Sequence, residues 1–110
     1  MPMDVAELNL LCDDRGFLID SKVWVKEVAQ ALAEQEGIDL TPAHWEILHL
    51  LRAFYSKFEE APANRALVNW VKRHEGPDKG NSIYLMHLFP GSPARVGSRL
   101  AGLPKPKNCL

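Results

Sequence analysis

Residues 41–58, TPAHWEILHLLRAFYSKF, predict the central helix of the fold. Thr41 followed by Pro42 is typical of a helix start, because threonine caps the first turn and proline fits the first helical position. Behind this start, apolar side chains recur at helical spacing, and they are Trp45, Leu48, Leu51, Phe54, Tyr55 and Phe58. A stripe of this width predicts a helix packed on several neighbours.

Further helices are predicted on both sides of this segment, since capping residues and helix-breaking residues alternate along the chain. The first is predicted to run from Ser21 to Gly37, and the second from about Pro62 to Asn64 as far as Gly76-Pro77. The third is predicted to start at Asn81 or Ser82 and to end at Pro90-Gly91, and Ser92-Pro93 precedes a last short helix. The first of these helices has one apolar face, made of Trp24, Val25, Val28, Ala29 and Leu32.

The N-terminal residues 5–20, VAELNLLCDDRGFLID, read as two short apolar runs around Asp13-Asp14-Arg15-Gly16. Such a pattern is typical of a β-hairpin, because Gly16 can take a positive φ in the turn. Cys12 then ends the first strand as a small packing residue. We therefore expect a mainly α (α+β) fold, in which a small N-terminal β-hairpin packs on a helical domain of about four to five helices.

Composition is that of an ordinary globular domain, with 110 residues, 46% of them hydrophobic and 25% charged. The sequence has no apolar run of transmembrane length and no signal-peptide pattern near its start, so we expect a cytoplasmic protein with free thiols. Its net charge of −1 hides an asymmetry: residues 1–71 carry 12 acidic and 6 basic side chains, whereas residues 72–110 carry 2 and 7. A cationic surface near the C-terminus suits an anionic partner or a thiolate.

The last nine residues, GLPKPKNCL, place Cys109 next to the C-terminus. Pro104 and Pro106 favour extended backbone, and the cysteine is not at the position of a prenylation box. We expect a single domain over residues 1–102 and a mobile arm over residues 103–110, because the arm has few apolar side chains to bury.

Cys109 is the candidate catalytic residue. No histidine or carboxylate side chain lies near it in sequence to act as a general base, so a hydrolytic cysteine enzyme is improbable, whereas thiol exchange or sulfur transfer needs only an accessible thiolate. Four basic residues are candidates to stabilise a persulfide or to steer docking, and they are Arg95, Arg99, Lys105 and Lys107.

Other kinds of site have weaker support. His44 and His49 are five residues apart and no CxxC pattern occurs, so we expect no metal, and no nucleotide-binding motif or other sign of a cofactor is present. The two neighbouring helices 41–58 and 64–74 leave a helix-turn-helix DNA-binding regulator as an alternative. Against it, the second helix is largely apolar, which favours two packed core helices.

Three motifs in order resemble the DsrC/TusE family of small sulfur-carrier proteins: GNS-x-YL at residues 80–85, LFPG-x-PA at 88–94, and GLPKP-x-x-C-x at 102–110. The resemblance runs from the N-terminal DDRGFLID to the last residue. It implies a mostly helical fold with an N-terminal hairpin and a C-terminal arm, and a persulfide on Cys109.

The position of a second arm cysteine divides this family, and here that position holds Ser98. Serine cannot form a disulfide or trisulfide, so the chain is most similar to the single-cysteine TusE type. That resemblance implies a sulfurtransferase acting in a relay: a TusBCD-like complex donates sulfur, and an MnmA-like tRNA 2-thiouridylase with its tRNA receives it for wobble-uridine 2-thiolation. A DsrC-like carrier serving dissimilatory sulfite reductase is the alternative.

Overall fold

The computed structural model describes residues 3–107, and within them the chain is built from helices. Six α-helices occur in this part: α1 (Val5–Leu11), α2 (Lys26–Gln35), α3 (Pro42–Phe58), α4 (Asn64–Glu75), α5 (Ser82–Leu88) and α6 (Pro93–Leu100). A single 3₁₀ turn, Ser21–Val23, precedes α2. The helical part of the predicted fold class is therefore correct.

The predicted N-terminal hairpin is wrong, because residues 3–107 contain no β-strand and residues 5–11 are helical. Asp4 caps this helix by accepting a hydrogen bond from the backbone N–H of Glu7 at 2.8 Å. Leu8 is buried, whereas Leu10 is 83% exposed. In a half-buried strand, residues two positions apart lie on the same face and would be buried alike. Leu8 and Leu10 differ in burial, which is the pattern of a helix.

The turn of the predicted hairpin does exist, although it joins a helix end to an extended segment. The Asp13 carboxylate accepts hydrogen bonds from the backbone N–H groups of Arg15 and Phe17, and Gly16 has a φ of +87°. One isolated bridge links Cys12 and Leu18 across this turn. Local turn chemistry was thus predicted correctly, and the error lay in extending it into strands.

The helix predicted from Ser21 to Gly37 is interrupted near its start. Asp20 caps the 3₁₀ turn, Val25 is extended, and α2 begins only at Lys26. The break leaves Trp24 outside the helix, where its indole N–H bonds to the backbone of residue 100 at 2.8 Å. A tertiary contact therefore decides the backbone at this position.

The central helix α3 starts as predicted, with Thr41 as its cap. His44 completes the cap: its Nδ1 accepts from the N–H of Thr41 at 3.1 Å, so the ring proton lies on Nε2 and is donated to Leu88 O at 2.8 Å. The buried face of α3 consists of His44, Ile47, Leu48 and Leu51. This differs from the predicted stripe, since Phe58 is 46% exposed.

The outer end of that stripe forms a separate aromatic cluster with α4. Phe54 and Phe58 both pack edge-on against Trp70, at centroid distances of 5.3 and 5.8 Å. The indole N–H of Trp70 donates to Leu50 O at 2.8 Å. The two helices of the DNA-binding alternative thus pack against each other, and much of the second helix is in contact with the first.

The short helix α6 is the centre of the packing, for it contacts α2, α3, α4 and α5. Most of its side chains are buried, namely Pro93, Ala94, Val96, Ser98 and Leu100, together with Gly97. A Cβ atom on Gly97 would lie 2.9 Å from Leu51 Cδ1, which is closer than ordinary packing allows. Glycine at this position therefore lets α6 approach α3 closely.

Two separate variants, Leu8→Ala and Leu10→Ala, test whether the N-terminal segment is helical. Removing the buried Leu8 side chain should lower the free energy of unfolding by about 2–5 kcal/mol, since it empties a core site. Leu10 is exposed on the same helix, so its replacement should change stability by less than about 0.5 kcal/mol. Urea denaturation measures both. Equal losses would favour a strand, in which the two residues share one face.

Candidate functional site: the root of the C-terminal arm

The C-terminal arm leaves the body through a tight helix end at α6. Leu103 N–H donates to Ser98 O at 2.9 Å, and Gly102 N–H donates to Arg99 O at 3.1 Å. Gly102 has a φ of +76°. These two bonds and the left-handed glycine form a Schellman motif, which turns the chain sharply out of the helix. The direction in which the arm starts is therefore fixed by hydrogen bonds.

Two side chains from distant parts of the chain hold this helix end, and we call Trp24 and Arg52 the arm clamp. Trp24 Nε1 donates to Leu100 O at 2.8 Å, and Arg52 Nη1 donates to Ala101 O at 2.8 Å. The last carbonyls of a helix lack partners within it, so these two donors satisfy groups that the helix itself leaves open. A cation at a helix C-terminus is also favoured by the helix dipole.

The clamp residues support each other as well. The Arg52 guanidinium carbon lies 4.4 Å from the centroid of the Trp24 ring, in cation–π geometry, and Arg52 Nη2 donates to Ser21 O at 3.1 Å. Partial burial lowers the pKa of Arg52 from its ordinary value. The guanidinium is thus partly removed from water and bonded in two directions, which fixes its position.

Gly102 fits against the clamp because it has no side chain. A Cβ atom at this position would lie 2.5 Å from Trp24 Cδ1. The indole ring therefore occupies the space that any other residue would need. Close contact and left-handed backbone each require glycine here.

Beyond Gly102 the described part of the arm stays close to the body. Leu103 is fully buried, so the packed body includes this residue, one position past the predicted boundary at 102. Pro106 is buried, whereas Lys105 and Lys107 are exposed. The predicted site residue Cys109 lies outside the described residues, as does part of the segment for which mobility was predicted.

The predicted basic residues fall into two groups. Arg95, Lys105 and Lys107 are exposed. Arg99 is instead bonded into the fold: it pairs with Glu36 and its Nε donates to Gly16 O at 2.8 Å. It ties α6 to the N-terminal turn, and so its guanidinium is occupied by structural contacts.

Ser98 faces the core of the molecule. Its side chain is fully buried, and within residues 3–107 its Oγ has no hydrogen-bond partner. An unpaired buried hydroxyl costs stability. The position at which the family resemblance places a second cysteine thus lies on the inner face of α6.

Cys12 lies at the N-terminal turn and is half-buried. Burial raises the pKa of its thiol, with a smaller opposing effect from the positive charge of Arg99 and a further increase from Asp13. A raised pKa means a smaller thiolate fraction at neutral pH, and only the thiolate is a good nucleophile. The geometry therefore agrees with Cys12 as a packing residue.

Sequence reasoning missed the arm clamp. The sequence pattern predicts that Trp24 lies on the apolar face of a helix, and it indicates no role for Arg52. The available signal was a lone arginine between the core residue Leu51 and a run of apolar positions in α3. A charge at the edge of such a stripe needs acceptors, but the sequence does not say that they lie 49 and 31 residues away.

Metal and membrane sites find no support in the described residues. Residues 3–107 contain no cluster of three or more histidine, cysteine or acidic side chains able to hold a metal ion. None of the helices between residues 3 and 107 has both the length and the apolar character needed to span a membrane.

A profile of the family described as "DsrC like protein" matches residues 4–110 of this chain. Among individual proteins, "Sulfurtransferase TusE homolog" of Haemophilus influenzae is 44% identical over 108 residues, covering 98% of this chain and 99% of that protein. "Sulfurtransferase TusE" of Pectobacterium atrosepticum is 48% identical, covering 93% and 94%. Both matches span nearly the whole of the two chains compared.

Solved structures show the same relationship. The solution structure of Allochromatium vinosum DsrC superposes with a TM-score of 0.81 at 43% identity, covering 90% of this chain and 88% of that one. The crystal structure of oxidised DsrC from Archaeoglobus fulgidus, the gamma-subunit of its dissimilatory sulfite reductase, has a TM-score of 0.76 at 42% identity, covering 90% of each chain.

Gly102→Ala tests the close contact at the arm root, with Gly37→Ala as the matched control. Both glycines have positive φ, and alanine in this region costs about 1–2 kcal/mol. Nothing lies within 4 Å of a Cβ atom at Gly37, so that variant should lose only this amount. Gly102→Ala should lose about 1–3 kcal/mol more through overlap with Trp24. Similar free energies of unfolding for the two variants would contradict the contact.

Ser98→Ala tests the unpaired hydroxyl on α6. Alanine removes a desolvated polar atom, so the variant should be more stable than the parent by about 1 kcal/mol beyond any helix-propensity gain. Ser56→Ala, at an exposed position of α3, measures that propensity gain alone, about 0.5 kcal/mol. Thermal and urea denaturation would provide both values. A smaller gain in the free energy of unfolding for Ser98→Ala than for Ser56→Ala would show that the Ser98 hydroxyl has a hydrogen-bond partner.

Proposed function

The chain belongs to the DsrC-like protein family, and from this membership we propose that it is a sulfurtransferase that carries sulfur as a persulfide on Cys109. The observation that carries the proposal is the identity of 44–48% to proteins named sulfurtransferase TusE, across nearly the full length of both chains. The cysteine-bearing motif GLPKP-x-x-C-x at residues 102–110 completes the family pattern.

The chemistry is a transfer of sulfane sulfur between thiols. The Cys109 thiolate attacks the terminal sulfur of a donor persulfide, R–S–SH. The donor S–S bond breaks, the donor leaves as R–S⁻, and Cys109 becomes Cys109–S–SH. An acceptor thiolate then repeats the attack on the new terminal sulfur and restores the Cys109 thiolate. Neither step needs an outside oxidant or reductant, and neither needs a metal or organic cofactor.

Two features of the described structure support this role. The arm clamp and the Schellman turn hold the point from which the arm starts, so the arm begins in a defined direction. Lys105 and Lys107 are exposed on the arm, and Arg95 is exposed on α6. Positive charge near a persulfide favours its anionic form, and on an exposed surface it also attracts an acidic partner.

We further propose that the sulfur comes from a TusBCD-like complex and goes to an MnmA-like tRNA 2-thiouridylase bound to its tRNA, in the cytoplasm. Support for this route is the name TusE of the relatives and the single thiol near the C-terminus, since Ser98 on α6 stands where the family resemblance places the second cysteine. Each protein in such a route receives sulfur on one thiol and gives it to the next. The chain acts as one member of the relay and turns over no small molecule by itself.

The alternative of a sulfite-reductase carrier rests on the DsrC structures, which resemble this chain at 42–43% identity. That identity supports membership of the family. Ser98 argues against the two-thiol chemistry because a hydroxyl cannot join a trisulfide, and it is buried away from solvent. We therefore favour the tRNA route.

Reconstitution tests the route directly. The purified chain is mixed with a cysteine desulfurase, the TusBCD-like complex, the MnmA-like enzyme, ATP and unmodified tRNA, and 2-thiouridine is measured by mass spectrometry. Omitting the chain should reduce the yield at low donor concentration, and adding it back should restore the yield. If purified sulfite reductase turns over with the chain while no 2-thiouridine forms, the alternative route is correct.

Cys109 should be the thiol that acquires sulfur. Incubation with the donor complex should raise the intact mass by about 32 Da, the mass of one sulfur atom added to a thiol. Cys109→Ser should abolish the gain, whereas Cys12→Ser should keep it, because Cys12 is half-buried with a raised pKa. A gain that survives Cys109→Ser and disappears in Cys12→Ser would overturn the assignment.

A further inference from the structure

An apolar groove runs along the outer face of α5 and is independent of the arm clamp. Ile83 and Met86 lie on this face and are 76% and 43% exposed, while Leu85 on the inner face is fully buried. A hollow of about 310 Å³ is lined by Ser82, Ile83, Met86 and His87. Its walls are nearly all apolar, which is unusual for a surface in contact with water.

A second hollow continues the first. It has a volume of about 180 Å³ and is lined by Asn64, Val68, Ser82, Met86, Gly91 and Pro93. Ser82 and Met86 border both hollows, so together they form one groove, which we call the α5 groove. Residues of α4, α5 and α6 line it, and Asn64 joins two of these helices by accepting a hydrogen bond from Ala94 N–H at 2.8 Å. The groove is therefore built on packed helices.

Basic residues flank the α5 groove on its α4 side. Lys72 follows the lining residue Val68 by one helical turn on α4, and its backbone lies against Gly80, just before α5. Arg65 precedes the lining residue Val68 by three residues, so it lies on the same face of α4, and it is exposed. From residue 79 to residue 107 the chain has no acidic residue. An apolar centre with a cationic rim fits an apolar side chain that is flanked by carboxylates.

The same helix that borders the groove carries the arm. Pro93 at the start of α6 lines the groove, and Leu100 at its end is held by the arm clamp. Eight helical residues span about 12 Å. Because Leu103 is buried in the body, the reach of the arm is set by the six residues from Pro104 to Cys109, which can extend over at most about 20 Å once Pro106 leaves its buried position. The end of the arm can therefore reach a protein that is seated on the α5 groove.

We propose that the α5 groove is the docking surface for the protein that donates sulfur to Cys109, and that this donor inserts an apolar side chain flanked by Asp or Glu. The proposal rests on the sulfurtransferase function proposed above. The acceptor is the poorer match, because an enzyme that binds tRNA presents basic surface, which the basic rim would repel. A nucleic acid is also a poor match, since phosphates gain nothing from Ile83 and Met86.

Ile83→Glu tests the groove, and Leu10→Glu is its control. Leu10 is 83% exposed on α1, so its variant adds the same charge at another exposed apolar position. The probe is the purified TusBCD-like complex loaded with sulfur, and the readout is persulfide on Cys109 by intact mass. Ile83→Glu should lower the rate at subsaturating donor by tenfold or more, and raising the donor concentration should recover it. Leu10→Glu should behave like the parent.

Two further measurements separate docking from other effects. Inorganic polysulfide should persulfidate Cys109 equally fast in all three proteins, because it needs no docking, and circular dichroism should show the same thermal midpoint. Arg65→Glu should weaken donor binding and reduce its dependence on salt, while Arg15→Glu, at an exposed base on the N-terminal turn, should do neither.

The outcomes distinguish a failure of the groove proposal from a failure of the proposed sulfurtransferase function. Donor-dependent persulfidation at the parental rate in Ile83→Glu would overturn the groove and leave the sulfurtransferase function intact. The groove proposal would also be overturned if Ile83→Glu slowed only the transfer of sulfur onward to the MnmA-like enzyme, or if it weakened only tRNA binding in a gel-shift assay. If the unmodified chain neither binds the donor complex nor takes sulfur from it, the proposed function fails and the groove proposal fails with it.

Discussion

The structure at the arm root depends on two hydrogen bonds, from Trp24 to Leu100 O and from Arg52 to Ala101 O. They join residues 76 and 49 positions apart, and they satisfy carbonyls that α6 cannot bond by itself. A hydrogen bond from a charged donor contributes about 1.5–3 kcal/mol, and losing it would also leave the acceptor carbonyl unpaired. The end of the last helix is thus fixed by the beginning of the chain and by the central helix.

This constraint gives α6 its part in the fold. The helix is only eight residues long, too short to be stable alone, and it is held by contacts on several sides. Gly97 lets it approach α3, Arg99 ties it to the N-terminal turn through Gly16, and the clamp fixes its C-terminal end. Because α6 also borders the α5 groove, the groove and the arm root share one rigid element, and their separation is set by the length of that helix.

Much of this could be predicted from the sequence, and the exceptions have a common physical cause. Thr41-Pro42 and Ser92-Pro93 marked the starts of α3 and α6 correctly, and the start of α5 was narrowed to Asn81 or Ser82, of which Asn81 is the cap, because capping is a local interaction. The N-terminal hairpin was wrong since the Asp4 cap and the Leu8 contact, which select a helix, were not weighed against the turn at Gly16. The arm clamp and the α5 groove arise only when distant segments meet, so local patterns cannot reveal them. Cys109 stays a prediction that rests on its motif.

A single thiol in the arm makes docking a necessity for the proposed chemistry. Position 98, where a second thiol would allow exchange within the arm, holds a serine that is buried on the inner face of α6. The other cysteine, Cys12, sits in a half-buried turn where burial raises the pKa of its thiol. The proposed chemistry on Cys109 therefore requires a thiol of another protein, and the rate of such a transfer depends on how well the partner is held. A fixed arm root and the proposed docking surface, both bordering α6, would meet this requirement together, since the first sets where the arm begins and the second would set where the partner sits.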